Sequence, residues 1–278
     1  MFVEERQQKI LEILREDGKV SVDMLADVFR VSAPTIRADL GALEARRLLR
    51  RTHGGAIPVE TTLYEPPFGE REQAQRDEKR RIARIAASRV RDHETVLLDA
   101  GTTVTEMARF LIERRGLTVV TNSLPTAFEL AEAGTVNVVL IGGELHLERR
   151  ATLGPLATEF LRDMHVDRAF IGVNGVSEDA GWTVVDFDAV QVKRGMMARA
   201  REVVVVADHS KLGEATFASI GPLNAAHVLI TDTPIERESL RAALDIAGVE
   251  IIDESGKGAS RAAESVRREE FANSADGA

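Results

Sequence analysis

SAPTIRADL (32–40), running on through GALEARRLLRRTHGGA (41–56), is the stretch whose reading decides the fold at the front of this chain. Ser32 can cap a helix, and Pro34 is tolerated in a first helical turn, where its missing N–H has no partner to lose. Ile36, Leu40 and Leu43 then share the side predicted to be buried. Pro34, Ala38, Gly41 and Ala45 lie on the opposite arc, flanked by Thr35 and Arg37. Working back, Ser21 can cap a helix with Val22, Leu25, Ala26 and Phe29 on one face, and Arg30-Val31 turns into Ser32. Earlier still, Val3, Gln7, Ile10 and Leu14 recur at helical spacing until Asp17-Gly18. Working forward, LLRRTHGGA (48–56) reads as a short strand followed by Gly-Gly, hence a β-hairpin. The expected front unit is trihelical with a hairpin wing.

The net charge of −9, taken alone, speaks against a nucleic-acid binder. Its distribution reverses that. Residues 1–56 carry +1 and residues 57–278 carry −10. Within 30–53 six arginines (Arg30, Arg37, Arg46, Arg47, Arg50, Arg51) stand against two acids, Asp39 and Glu44. A compact basic segment on an acidic body is the electrostatic footprint of a DNA-reading module joined to a partner domain that does not bind DNA. The small residues of the outer arc let the third helix sit deep in a major groove, with Arg37 reaching guanine or phosphate and Ala38 a thymine methyl. Ser32, Thr35 and the helix N-terminus face phosphate oxygens, while Arg50, Arg51 and His53 on the wing face an adjacent groove or backbone. The candidate DNA-binding residues are Ser32, Pro34, Thr35, Arg37, Ala38, Arg50, Arg51 and His53. Asp39 is expected to pair internally with an arginine, since its charge repels phosphate. The competing reading is a trihelical module for protein contacts with a solvated charged face.

A length of 278 residues implies two domains, and 44% hydrophobic residues suffice for a sizeable core. The absence of cysteine removes disulfides, thiolate nucleophiles and Cys-ligated zinc from consideration. MFVEERQQKILEIL (1–14) carries charges where a signal peptide needs an apolar core, and no apolar run approaches the roughly 18 to 20 residues of a spanning helix. A cytoplasmic protein without membrane contact is expected.

Pro58, Pro66, Pro67 and Gly69, set among acids, mark 57–76 as a linker, and helix resumes near Glu78. Strands are predicted at 95–99, 117–121, 136–141, 168–173, 202–207, 227–231 and 249–252, and helices at 103–114, 124–133, 185–200 and 235–247. The strands are short, rich in Val, Ile and Leu, and apolar on both faces, as in a parallel sheet covered by helices on each side. The expected division is 1–56 winged helix-turn-helix, 57–76 linker, 77–253 α/β domain and 254–278 disordered tail. Ligands of such sheets bind at the carboxyl ends of the strands. Those ends read DAGTT (99–103), TNS (121–123), GGE (142–144), GVNG (172–175), ADHSK (207–211) and TD (231–232), with small, hydroxyl and Gly residues gathered at one rim. That composition suits a phosphate cradle. Thr103 and Ser123 are equally suited to capping the helices that follow them. Lys193 and Arg194 either belong to a solvated helix face or reach inward.

Arg6, Ile10, Leu14 and SAPTIRADL, at their spacing, resemble the helix-turn-helix signature of the DeoR family of bacterial regulators, and HGGA (53–56) resembles the close of that family's wing. DAGTT, TNS, GGE, LG (153–154), the 172–175 turn, GWT (181–183), VKRGM and ADHSKLG follow in the order of DeoR-type sensor domains. The likeness covers roughly residues 3–252. It implies a sensor domain similar to the ribose-5-phosphate isomerase and CoA-transferase fold, responsive to phosphorylated sugars or related intermediates. Carried over by position, the candidate ligand contacts are Asp99, Gly101, Thr102, Thr103, Thr121, Asn122, Ser123, Lys193, Asp208 and Lys211. Asn174 stands where an acidic residue is common in the family, and Asp188-Ala189 where paired glutamates are usual.

Six histidines are scattered without metal-ligand spacing, and neither a Walker A loop nor a GxGxxG occurs, so no metal or cofactor is expected. The rival function is a sugar-phosphate isomerase, with Asp99, Glu144 or Asp208 as proton-transfer base and the N-terminal unit as an accessory. The expectation adopted is a non-enzymatic repressor of carbohydrate-metabolism genes. It binds double-stranded operator DNA as a homo-oligomer, dimer or tetramer, and is released by a phosphorylated sugar.

Overall fold

The computed structural model describes residues 2–46, 48–52, 54–58 and 65–254. The chain forms two compact units that part between Tyr64 and Glu65.

The first unit opens with α1 (Val3–Asp17), which ends where Gly18 takes a left-handed conformation (φ 69°) and donates its N–H to Leu14. After β1 (Val20–Ser21), the Ser21 hydroxyl accepts from Met24 N at 3.1 Å and starts α2 (Val22–Phe29). Ser32 caps α3 (Ala33–Ala45) in the same way through Thr35 N at 3.3 Å. The wing is the antiparallel hairpin β2 (Leu49–Thr52) and β3 (Gly55–Pro58), and β3 also pairs with β1, giving the order β1-β3-β2. Gly55 is required there, because a Cβ would lie 1.8 Å from Val20 O. Ile10, Leu14, Leu25, Ile36, Leu40, Leu43 and Leu49 close one small core between the helices and the wing.

The second unit begins earlier than expected. The predicted linker over 57–76 is corrected from Glu65 onward: α4 (Phe68–Gln73) packs Phe68 into the unit at 2% exposure, and α5 (Arg76–Ser88) follows at once. The chain continues through β4 (Thr95–Leu98), α6 (Thr102–Leu111), β5 (Thr118–Thr121), α7 (Leu124–Ala133) and β6 (Asn137–Leu140). It then forms the hairpin β7 (Glu144–His146) and β8 (Ala151–Leu153), α8 (Gly154–Phe160) and β9 (Val166–Gly172). The last part holds β10 (Gly175–Ser177), β11 (Gly181–Val184), α9 (Phe187–Arg199), β12 (Ala200–Val206), β13 (Ala218–Gly221), β14 (Val228–Ile230), α10 (Glu238–Ile246) and β15 (Glu250–Ile252).

All seven predicted strands assemble into one sheet of order β15-β14-β12-β9-β4-β5-β6, and every neighbouring pair in it is parallel. Alternate residues feed two cores, as period-two strands require. Leu97, Ala169, Ile171, Val203 and Val205 join Trp182 and Met196 on one face. Val96, Leu98, Phe170, Val204 and Val206 join Ile82, Met107 and Leu130 on the other. The small sheet β10-β11-β13 was not anticipated. From β4 the chain winds outward through β5 and β6, and from β9 it winds the opposite way. The reversal of strand order therefore falls between β4 and β9, the position where open α/β sheets leave a crevice beyond their carboxyl ends.

Candidate DNA-reading surface and effector site

On α3 the buried residues are Ile36, Asp39, Leu40 and Leu43. Ser32, Pro34, Arg37 and Ala38 are exposed and Thr35 is half-buried, so one open patch forms at the start of the helix. The Ser32 and Thr35 hydroxyls lie 2.8 Å apart. On β2 only Leu49 points inward, leaving Arg50, Arg51 and Thr52 exposed. Arg51 is tied back to α3: its N–H donates to Glu44 Oε1 at 2.9 Å and its guanidinium lies 3.9 Å from Glu44 Oε2. His53 lies outside the described residues. Asp39 finds the arginine expected of it, since Arg6 donates to it from α1 through Nε at 2.6 Å and Nη2 at 3.2 Å.

At the carboxyl end of β4, the buried Asp99 carboxylate accepts from Gly172 N, at the end of β9, at 3.0 Å and from Lys193 Nζ. Lys193 also donates to Gly172 O at 2.9 Å, so it reaches inward from α9 and bridges the two central strands. Beside them, α6 starts at Gly101 without a side-chain cap, so its first backbone N–H groups are open at the rim, and Thr102 and Thr103 in that first turn are buried. Open space surrounds Gly101, where an added Cβ would meet nothing within 4 Å.

Thr121, Asn122 and Ser123 are buried and engaged within the chain. Thr121 Oγ1 donates to Leu98 O at 2.6 Å. Asn122 accepts from Ala100 N at 2.9 Å and donates to Thr152 O at 3.1 Å. Ser123 caps α7 through Thr126 N at 3.3 Å. Thr121 and Asn122 thus hold the start of the DAGTT turn, while Ser123 fixes the start of α7. On the other side of the switch point, Asp208 accepts from Ser210 N at 3.1 Å. Burial pushes the Asp208 carboxyl up, but Lys211, the Ser210 hydroxyl and Lys79 outweigh it and hold it below the ordinary carboxylate range. His209 contacts Asp232 at 2.7 Å, and that bond raises its pKa above 6.5.

The sequence reading missed a second group of charges at this rim. Glu65 forms an ion pair with Arg71, whose Nη1 lies 2.9 Å from its carboxylate, and accepts from Asn174 Nδ2 at 2.8 Å and from Arg149 Nη1. Arg149 also holds Asp186, the N-cap of α9, at 2.5 Å. Burial pushes the Glu65 carboxyl up, yet Arg71, Arg149 and Asn174 hold it below its ordinary value. Arg71 and Arg150 both lie over the Phe68 ring, at 5.8 and 5.0 Å from its centroid. Lys79 donates to Ala74 O at 2.6 Å and to Arg71 O, closing off the end of α4. Burial brings the Lys79 amine down to about 8, against the pull of Asp208. The available signal was Arg149-Arg150, adjacent cations between the GGE and LG segments of an otherwise acidic domain. Among the described residues no group of His, Cys, Asp or Glu is arranged to hold a metal, and no helix is long and apolar enough to cross a membrane.

The DeoR-like helix-turn-helix domain matches residues 6–62, and the DeoR C terminal sensor domain matches residues 74–233. The HTH-type transcriptional regulator GlpR of Haloferax volcanii is 36% identical over 253 residues, 91% of this chain and 98% of the relative. The HTH-type transcriptional repressor GlcR of Bacillus subtilis is 36% identical over 91% of this chain and 96% of its own length. The glycerol-3-phosphate regulon repressor of Escherichia coli is 32% identical over 83% of this chain and 91% of its own length. A solved ribose 5-phosphate isomerase A from Methanocaldococcus jannaschii superposes with a TM-score of 0.38 at 21% identity, covering 50% of this chain and 55% of that one. The sheet order, not this superposition, carries the fold assignment. With both domains matched and the relatives aligned over most of their lengths, the chain belongs to the DeoR family of DNA-binding transcriptional regulators.

Proposed function

We propose that this regulator is a cytoplasmic repressor of carbohydrate-metabolism genes. It binds operator DNA as a dimer or tetramer and releases it when a phosphorylated sugar or related intermediate docks at the rim between β4 and β9. Residues 1–56 read DNA through Ser32, Pro34, Thr35, Arg37, Ala38, Arg50, Arg51 and His53, and the unit that begins at Glu65 senses the effector. The observation that carries the effector reading is the Asp99–Lys193–Gly172 bridge at the switch point, beside the uncapped start of α6. Helix N–H groups, the Thr102 and Thr103 hydroxyls and nearby Lys211 suit a phosphate; Asp99 and Asp208 suit sugar hydroxyls. Thr121 and Asn122 hold the start of the turn that presents these groups, while Ser123 fixes the start of α7. The name of the Escherichia coli relative, a glycerol-3-phosphate regulon repressor, agrees with a phosphorylated effector.

The isomerase alternative is weaker, because both matched domains and the relatives aligned over most of their lengths are those of transcriptional regulators. The test is a gel-shift series on DNA from upstream of the protein's own coding sequence, with phosphorylated sugars added one at a time. Release by one of them, without turnover, is expected. Turnover of ribose 5-phosphate by the purified protein, or DNA binding indifferent to every phosphorylated sugar, overturns the reading.

A further inference from the structure

We propose that Arg71, Arg149 and Asn174 form an anion-binding site that Glu65 fills in this structure, and that a phosphate- or carboxylate-bearing effector takes its place. The proposal builds on the effector reading above and assigns the step that follows docking.

Two guanidinium groups and an amide N–H₂ converge on the Glu65 carboxylate. Arginine forks with an amide donor are the set that recognises planar carboxylate and phosphate oxygens alike. The site is built rather than incidental. The Glu65 side chain is 7% exposed, Asn174 is itself fixed by accepting from Val185 N at 3.1 Å, and Arg71 is fixed by donating to Pro66 O at 3.0 Å. A buried ionic cluster is seldom more stable than apolar packing of equal volume, so its charge calls for a use beyond cohesion. With Glu65 withdrawn, the two arginines keep one carboxylate partner here, Asp186 on Arg149. The group is then short of one negative charge.

Position connects this site to the effector rim. Asn174 follows Gly172 by two residues, and Gly172 is the residue that Asp99 and Lys193 share. Asp99 is also close enough to act electrostatically on Arg71. On this proposal, an anion entering at the switch point competes with Glu65 for the arginines. Glu65 is also where the chain enters the sensor unit from the DNA-reading unit, and α4 behind it is held by Phe68 N donating to Glu148 O at 3.2 Å. Exchange of Glu65 for a ligand anion releases the residue at which the sensor unit begins.

The test uses the full chain and inorganic phosphate as the probe, titrated calorimetrically at constant ionic strength, with hydrogen exchange read at the Phe68, Arg71 and Ala74 amides. Glu65→Gln should bind phosphate about tenfold more tightly than the parent, the gain expected if Glu65 occupies the site about nine-tenths of the time. Arg149→Gln should lose the binding, and saturating phosphate should speed exchange at the three amides in the parent. Asn174→Asp sets a carboxylate against Glu65 while sparing both arginines. It should speed the same exchange without phosphate, and it covers the case in which Arg149→Gln fails to fold. Equal phosphate affinity in the parent and Glu65→Gln overturns the proposal, as does exchange unmoved by Asn174→Asp. A sugar phosphate that still releases DNA from folded Arg149→Gln also overturns it, and leaves the proposed function standing.

Discussion

Arg6 of α1 and Asp39 of α3 meet at 2.6 Å with both side chains buried, so the recognition helix is braced from behind by an ion pair spanning 33 residues of sequence. The bond to Asp39 raises the Arg6 pKa, and Gln7 adds a third donor to the same carboxylate at 3.3 Å. The back of α3 is thus fixed while its front stays open.

Asp39→Ala is expected to destabilise the first unit by about 2 kcal/mol, because it strands a guanidinium without its acceptor. Urea unfolding followed by circular dichroism checks this. DNA affinity should fall for all sequences alike, since the bracing and not a base contact is lost. A stability change near zero would show that the pair is ornamental.

Arg37 and Arg50 should separate in their effects. Arg37→Ala is expected to cost about 1–3 kcal/mol of DNA affinity and to relax sequence preference, whereas Arg50→Ala should weaken every sequence equally. Binding to an operator and to scrambled DNA distinguishes the two. Undiminished operator binding by Arg37→Ala would remove it from the base-reading set.

Lys193→Met leaves the Asp99 carboxylate buried without its cation, which costs about 3–5 kcal/mol. The double variant with Asp99→Asn should recover much of that loss. Urea melts of the parent, both single variants and the double variant measure the coupling directly. Additive single effects would mean that the two side chains do not support one another.

His209 carries a pH dependence of fixed sign. Its folded pKa is raised above 6.5 by the bond to Asp232, so its contribution is fully present below the unfolded value and fades as pH rises through the folded one. The difference in melting temperature between the parent and His209→Asn should therefore shrink from pH 6 to pH 8. A pH-independent difference would contradict the ion pair.

The sheet was legible because its strands are apolar on both faces and short, as a doubly covered parallel sheet requires, and α3 because Ser32, Ile36, Leu40 and Leu43 agree on one geometry. The inward turn of Lys193 was one of two open readings, since a lone lysine in a helical pattern carries no sign of which way it faces. Residues 65–76 were misread for a physical reason. Pro66-Pro67 and Gly69 have the composition of a linker, and a helix of six residues shows no periodicity. What holds it is long-range: Glu65 to Arg149 and Asn174, 84 and 109 residues away. No local pattern reports such contacts. The β10-β11-β13 sheet escaped likewise, because β13 pairs with β11 across both α9 and β12.

The central claim is that the open face of residues 32–51 grips duplex DNA through its cations. Fluorescence anisotropy of a labelled operator fragment, titrated with the full chain over a range of salt concentrations, tests it most directly. If a dimer makes about eight phosphate contacts, log K should fall against log salt with a slope of about −7. Absence of binding at low salt, or affinity indifferent to salt, would contradict the account.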